Sequence, residues 1–241
     1  AHHMAGAKAV DAVYHVDPPR TAKMLRELMY SAFFFTDHTT HFYALAGPDF
    51  VMGPDAPVAE RNILGVIHKV GLEIGGQVIT ARKYGHAVVE IIGGRKVHPC
   101  TSIPGGLTKG ITKEQRDEIL KMGQWGIGFA QFSLKLFSDI VLGNKTYLDL
   151  ILGDIYTHRT HYIGMVDENN HVNFYDGKIS VVDPDGKRLG KNRVRGKHQP
   201  FEELEGIAFH DLAVLKSAGL RFIRVGHHVM RPEIVWNEAP L

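Results

Sequence analysis

The sequence predicts an α+β fold that is mainly α-helical, with long packed helices followed by a small antiparallel β-meander. Two observations lead to this fold class. Apolar residues recur at helical spacing over most of residues 2–142, whereas from about 160 to 185 they alternate with polar residues. The 241 residues and the single cysteine fit one large domain, or part of a larger protein, without a disulfide framework.

Proline and glycine punctuate the first helices. One helix is predicted from 2 to 16, where the run Asp17-Pro18-Pro19 ends it. Asp17 is expected to cap the next helix, with Pro18 in its first turn. That second helix is expected to reach about Ala46, because Gly47-Pro48 interrupts its apolar pattern.

The middle of the chain predicts three further helices and one loop. A helical stretch covers about 58–84, where three glycines weaken or split it, and another helix covers 86–92. Residues 93–106 form a loop rich in glycine and proline. Thr112 followed by Gln115 is typical of a capping box, and the helix after it is expected to extend to Leu142.

The predicted meander begins near Tyr162 and contains three apolar-alternating runs. Turn residues separate these runs at Asn169-Asn170, Asp176-Gly177 and Asp185-Gly186. Residues 198–241 carry little pattern of either kind.

Charge and hydropathy exclude some functions. A formal net charge of +2 is too small to indicate a nucleic-acid partner. No apolar run reaches the roughly 18–20 residues that span a bilayer, and no signal peptide is evident, so we expect a cytoplasmic protein with no membrane span.

The first segment that could carry chemistry is 37–50. His38 and His41 are three residues apart on one helical face, and Asp49 follows the predicted helix end. Two imidazoles and a carboxylate could bind a metal ion. The favoured interpretation is that both histidines are satisfied polar residues at a packing interface.

The second such segment is 94–106, where glycines flank His98 and Cys100. A Cys–His pair can form a thiolate nucleophile, but these two residues are only two apart and no orienting acid follows. We therefore favour Cys100 as a small buried packing residue.

Taken together, these segments resemble the large subunit of nickel–iron hydrogenases. His-Phe-Tyr-x-Leu-x-x-Pro-Asp at 41–49 and Gly-Arg-x-x-His-Pro-x-x-x-x-Pro-Gly-Gly at 94–106 are similar to two signature motifs of that family. Pro-Asp-Phe-Val-Met-Gly at 48–53 is most similar to the viologen-reducing, F420-non-reducing type of its cytoplasmic multimeric branch. The resemblance assigns 1–197 to the central region of this large polypeptide. It leaves 198–241 as a poorly matched tail, either divergent or frame-shifted.

The resemblance implies heterolytic oxidation of H2, or proton reduction, at a Ni-Fe(CO)(CN)2 cluster. Electrons would pass to an iron–sulfur small subunit, then to further electron-transfer subunits. Family members hold the cluster with four thiolates from two Cys-x-x-Cys motifs, and neither motif is present in these 241 residues. We therefore expect no metal ligand in this chain and no activity from the chain alone.

Three residues match family positions outside the ligand set. Asp49 matches a catalytic acidic residue near the hydrogen-binding face. His2 matches the histidine that hydrogen-bonds a bridging cysteine sulfur, and His98 matches a residue that supports the cluster surroundings. Two alternatives stay open: a non-catalytic relative, like the large subunit of respiratory complex I, and a helical interaction scaffold without a redox role.

Overall fold

The computed structural model describes residues 2–188, together with two short strands at 224–225 and 229–230. Six helices occur in these residues: α1 (His2–Val13), α2 (Arg20–Thr40), α3 (Ile63–Val70), α4 (Leu72–Gly93), α5 (Lys113–Phe137) and α6 (Lys145–Leu152). Six strands form three antiparallel pairs: β1 (Ser102–Ile103) with β2 (Gly106–Leu107), β3 (Tyr162–Val166) with β4 (Lys178–Val182), and β5 (Arg224–Val225) with β6 (Val229–Met230). The predicted fold class, mainly helical with small antiparallel sheets, is confirmed.

The chain divides into two compact units, Ala1–Thr157 and His158–Leu241. The first unit contains all the α-helices and the β1–β2 hairpin, and the second contains the β3–β4 pair. The expectation of a divergent or frame-shifted tail at 198–241 lies outside the described residues, apart from the two short strands. Among the described residues, none of the helices is long and apolar enough to cross a membrane.

The start of α2 differs from the prediction. The residue that caps it is Pro19, which contributes no side-chain hydrogen bond, so the expected cap by Asp17 was wrong. Asp17 lies two residues too early, and its carboxylate instead pairs with Lys23 Nζ at 2.5 Å. A fixed proline φ favours helix initiation without a capping side chain.

The end of α2 also differs, because the chain stays helical beyond Gly47-Pro48. Two π-helical turns follow α2, at His41–Ala46 and Pro48–Met52. Pro48 is tolerated because it occupies the first turn of its segment, where a missing N–H costs little. The turn ends at Gly53, whose φ of 100° is open to glycine.

The core of the first unit forms where α2, its π extension, α4 and α5 meet. Buried Tyr43, Ala81 and Phe129 lie at its centre. Trp125 and Phe129 stack with ring centroids 5.4 Å apart, and Tyr43 lies 5.6 Å from Phe129. Aromatic contacts of this kind add to the free energy gained by burying the rings.

Glycine divides the predicted helical stretch 58–84 at one point only. Gly71 has a φ of 95° and separates α3 from α4. Gly75 and Gly76 lie inside α4, which continues through the separately predicted helix at 86–92. Contacts with α2 compensate for the low helix propensity of these glycines.

The predicted capping box at the start of α5 is confirmed. Thr112 Oγ1 accepts a hydrogen bond from Gln115 N at 3.2 Å, and Gln115 Oε1 accepts one from Thr112 N at 2.9 Å. A π-helical turn, Ser138–Leu142, extends the helix to its predicted end.

The second unit contains two of the three expected strands. Residues 162–166 pair with 178–182 in antiparallel register, with Gly164 opposite Ser180. Val172 forms only an isolated bridge to Val166. Asn173 Oδ1 accepts hydrogen bonds from the amides of Tyr175 and Asp176, which bends the chain where a third strand was predicted.

Candidate functional site

The largest described cavity on the first unit is a cleft of about 680 Å³. It lies between the start of α1, one face of α2, the middle of α4 and the loop that follows α4. Four imidazoles line it, and we call it the histidine cleft: His2, His3, His86 and His98. Two of the three residues singled out from the sequence, His2 and His98, therefore lie in one cavity.

Charged and aromatic side chains complete the histidine cleft. Arg82 and Lys96 line one part and Asp37 another, while Tyr30 and Phe33 supply an aromatic wall from α2. The two rings are nearly parallel, at 3°, with centroids 6.1 Å apart. The cleft thus combines apolar walls with several hydrogen-bonding groups, as ligand and partner sites often do.

His3 connects α1 to the opposite side of the histidine cleft. Its Nε2 lies 3.2 Å from Ser102 Oγ in β1. Partial burial lowers the pKa of His3, and the nearby chain terminus and the Arg26 guanidinium lower it further. The imidazole is therefore held toward its neutral form, in which one ring nitrogen can accept a hydrogen bond.

The loop that carries His98 is packed closely against the end of α4. A Cβ added at Gly93 would lie 2.7 Å from Pro99 Cβ and 2.9 Å from Met29 Sδ, so only glycine allows this approach. Thr101 Oγ1 also donates a buried hydrogen bond to Ile92 O at 2.9 Å. His98 has a φ of 55°, which is an uncommon conformation for a residue other than glycine.

A buried ion pair joins α1 and α2 beside the histidine cleft. Arg26 is 1% exposed, and its guanidinium bonds the carboxylate of Asp11 on α1. Sequence reasoning missed both residues. A signal was present, because Arg26 interrupts the apolar pattern of α2 and Asp11 lies seven residues after buried Met4, on the same face of α1.

Asp49 is not part of the histidine cleft. It lies in the π-helical turn Pro48–Met52, and its side chain is 62% exposed. Its Oδ1 is 3.6 Å from Arg61 Nε, which makes a loose surface ion pair. The structure therefore brings His2 and His98 together and places Asp49 elsewhere.

His38 and His41 of the proposed two-histidine metal segment face different surroundings. The His38 ring is exposed, and its Nδ1 lies 2.9 Å from Phe34 O. His41 borders an apolar cavity of about 280 Å³ that the π extension of α2 forms with α3 and the end of α5. The helical spacing alone did not bring these side chains and Asp49 into one ligand set.

Cys100 is exposed, so the expectation that it is a buried packing residue was wrong. The Cys100 amide donates to Gly93 O at 2.9 Å, which fixes the backbone at the end of α4 while the side chain remains at the surface. Neighbouring Pro99, and not the cysteine, fills the space against Gly93.

The donor set does not fit a thiolate-bound metal cluster. Within the described part of the chain, no group of three or more His, Cys, Asp or Glu side chains could hold a metal ion. The whole sequence has one cysteine, whereas a cluster held by four thiolates needs four. The histidine cleft offers imidazoles and charged groups that could contact a neighbouring group or partner.

Comparisons with known proteins agree on one family. The family profile described as "Nickel-dependent hydrogenase" matches residues 1–70. A subunit of the F420-non-reducing hydrogenase vhu of Methanocaldococcus jannaschii is 45% identical over 189 residues, which is 78% of this chain and 43% of that relative. An iron-sulfur subunit of the F420-non-reducing hydrogenase of Archaeoglobus profundus is 40% identical over 196 residues, covering 81% of this chain and 40% of the relative.

A solved structure supports the same relationship. The crystal structure of an NAD+-reducing [NiFe]-hydrogenase in the H2-reduced state superposes with a TM-score of 0.72 at 26% identity, covering 80% of this chain and 42% of that one. The chain spans less than half the length of the curated relatives it matches.

Proposed function

Because the chain belongs to the nickel-dependent hydrogenase family, we propose that it is a central segment of the large subunit of a nickel–iron hydrogenase. The observation that carries the proposal is the 45% identity over 189 residues with the Methanocaldococcus jannaschii hydrogenase subunit. The protein of which it forms part would catalyse heterolytic H2 oxidation and the reverse reduction of protons.

The chain's contribution to this reaction is the surroundings of the cluster and not its ligands. When bound, the Ni-Fe(CO)(CN)2 cluster of the family supplies the Lewis acid and redox chemistry of hydrogen cleavage. The residues present here do not fit that group, since the chain has one cysteine and it is exposed. No catalytic step can therefore be assigned to this segment alone, and we predict that the isolated chain is inactive.

We assign His2 and His98 to hydrogen bonding and packing beside the cluster. Both line the histidine cleft, and His2 is the first described residue of α1. An imidazole that donates to a ligand atom tunes its basicity, and loss of such a donor typically costs about 10–100-fold in metal affinity or activity. Asp49 is proposed as the acidic residue of the hydrogen-binding face, on the separate π-helical turn.

The partners proposed for the whole protein are an iron–sulfur small subunit, together with further electron-transfer subunits. The relatives are named as subunits of F420-non-reducing hydrogenases, which supports an assembly of several chains. Many large apolar side chains of the described residues are exposed, including Leu72 at 83% and Leu64 at 77%, which is typical of surfaces that pack against other elements. A cytoplasmic location is proposed for this assembly.

The competing function is a non-catalytic hydrogenase-like subunit related to the large subunit of respiratory complex I. The absence of thiolate ligands from the 241 residues is the observation that favours it. The two proposals differ in whether the segment supports nickel incorporation when cysteine motifs are supplied in the same polypeptide.

A segment exchange tests this difference. The matching 189-residue stretch of the Methanocaldococcus jannaschii relative would be replaced by the stretch from this chain, and the product purified with its partner subunits. We expect nickel in the purified protein and H2-dependent reduction of a viologen dye. The 241-residue chain alone is expected to have neither.

Two histidine variants sharpen the test. His2→Ala and His98→Ala are expected to lower activity by about 10–100-fold in the exchanged protein. His171→Ala is the matched control, because that side chain is 78% exposed in the β3–β4 unit. An assembled exchange protein that contains no nickel and reduces no dye would favour the non-catalytic relative.

A further inference from the structure

Helix α1 is held in place by few buried side chains. Only Met4 and Asp11 of its 12 residues are buried, and Met4 alone is apolar. A helix with one buried apolar residue gains little free energy from packing, so its position depends strongly on specific polar contacts. The most buried of these contacts is the ion pair between Asp11 and Arg26.

The Arg26 guanidinium reaches past Asp11 to the backbone of the β1–β2 hairpin. Its Nη2 donates to Ile103 O at 2.9 Å and to Gly106 O at 2.7 Å, while Nη1 donates to the Asp11 carboxylate. The Asp11 carboxylate in turn accepts a hydrogen bond from Gly105 N at 2.8 Å. One ion pair therefore binds both carbonyls that flank the turn and the amide within it.

The turn itself is shaped for this contact. Pro104 and Gly105 occupy its two central positions, and Gly105 has a φ of 79°, as the third residue of a type II turn requires. Ile103 and Gly106 are the residues on either side, paired in the short β1–β2 ladder. The Pro-Gly-Gly end of the 94–106 motif thus presents its backbone polar groups to Arg26 and Asp11.

Burial makes the arrangement demanding. The side chains of Arg26 and Asp11 are 2% and 10% exposed, and Arg26 Nε is the one buried side-chain nitrogen or oxygen in the described residues without a hydrogen-bond partner. A buried guanidinium whose carboxylate partner is removed keeps its desolvation cost and loses its counter-charge. Such a group does not accept a shifted α1 or a shifted hairpin.

We infer that Arg26 and Asp11, here called the clamp, are positioning residues that fix α1 against the hairpin and so set His2 and His3 opposite the His98 loop. The histidines of α1 and His98 line one cleft from two segments almost 100 residues apart. The His3–Ser102 contact, at 3.2 Å, lies next to the clamp because Ser102 precedes Ile103. The role given to the histidines rests on the proposed function, whereas the fixing of α1 does not.

Asp11→Asn in the full chain is the principal test, because it keeps the shape of the side chain and removes its charge. Asp17→Asn is the matched control, since Asp17 forms an ion pair with Lys23 in which the two side chains are 63% and 39% exposed. Amide hydrogen exchange of residues 2–13 and 102–107 would be compared with that of 81–92. In Asp11→Asn we expect about 100-fold faster exchange in the first two segments and little change in the third.

Imidazole resonances report on position directly. With isotope-labelled histidine, the signals of His3 and His98 are expected to shift in Asp11→Asn, while that of exposed His171 stays unchanged. A double variant, Arg26→Met with Asp11→Leu, separates positioning from simple stability. Apolar replacement of a buried pair often restores stability, yet it offers nothing to the carbonyls of Ile103 and Gly106, so the shifted resonances should persist.

Two results would overturn the inference. One is a folded Asp11→Asn chain with unchanged exchange in α1 and unchanged His3 and His98 resonances. The other is equal loss of protection in residues 2–13 and 81–92, in both Asp11→Asn and Arg26→Lys, which would make the pair a general core element. None of these measurements needs hydrogen turnover, so an inactive exchange protein would leave the clamp standing, and failure of the clamp would leave the proposed function standing.

Discussion

Gly85 lies where α4 crosses α2, and its replacement by alanine tests how closely the two helices pack. A Cβ at this position would lie 2.0 Å from Thr36 Oγ1 and 3.1 Å from Ala32 O. Thr36 would have to rotate, and its hydroxyl would give up the 3.1 Å hydrogen bond to Ala32 O. The backbone carbonyl would still be crowded after that rotation.

The expected magnitude follows from three effects. Alanine gains about 1 kcal/mol over glycine in helix propensity. Overpacking costs about 1–3 kcal/mol, and the lost hydrogen bond costs about 1 kcal/mol more. We therefore expect Gly85→Ala to lower the free energy of unfolding by about 1–3 kcal/mol.

The assay is urea unfolding followed by the helical circular dichroism signal. Gly76→Ala is the control, because it lies in the same helix with no atom within 4 Å of the added Cβ, and it should stabilise by about 0.5–1 kcal/mol. Adding Thr36→Ala to Gly85→Ala should recover part of the loss, since the nearest clashing atom is gone. If Gly85→Ala stabilises as much as Gly76→Ala, α4 and α2 do not cross as closely at this point as the structure has them.

Three further predictions concern single side chains. Thr112→Ala should lower the free energy of unfolding by about 1 kcal/mol, because it removes the capping box of α5, and urea titration measures the change. Tyr43→Phe should cost about 1 kcal/mol through loss of the 2.8 Å hydrogen bond to Ser133 Oγ; a double-mutant cycle with Ser133→Ala should show coupling, and additivity would argue against that bond. The lowered pKa of His3 means that the unfolded chain binds a proton more readily, so stability should fall as pH drops through 6.5 and below. His3→Asn should reduce this dependence between about pH 7.5 and 5.5, and an unchanged slope would contradict it.

Local signals predicted the elements whose ends are decided locally. Thr112 and Gln115 announced the start of α5 because both halves of a capping box lie within four residues. Gly71 divided a helical stretch because its φ of 95° is open to glycine. Pro48 misled, since a proline in the first turn of a helical segment does not stop it, and packing against α3 and α5 keeps the chain helical through Met52.

The candidate site was only partly predictable for a related reason. Motif resemblance selected His2 and His98, and the fold places both in one cleft. Spacing could not predict that Cys100 would face outward, because this depends on Pro99 filling the space beside Gly93. Arg26 and Asp11 look like ordinary charged residues until the hairpin arrives, almost 80 positions beyond Arg26, to bind them.

That sequence separation has a consequence for how the molecule folds. The clamp joins Arg26 to Ile103 and Gly106 across 77 and 80 residues, and Asp11 to Gly105 across 94. Long loops must close before such contacts form, so they slow folding and arise late. During synthesis, α1 and α2 emerge long before the hairpin that holds them together. At the usual rate of about 5–20 residues per second, α1 would wait several seconds without its docking site. The start of this chain is therefore the part we expect a chaperone or partner to meet first in an undocked state.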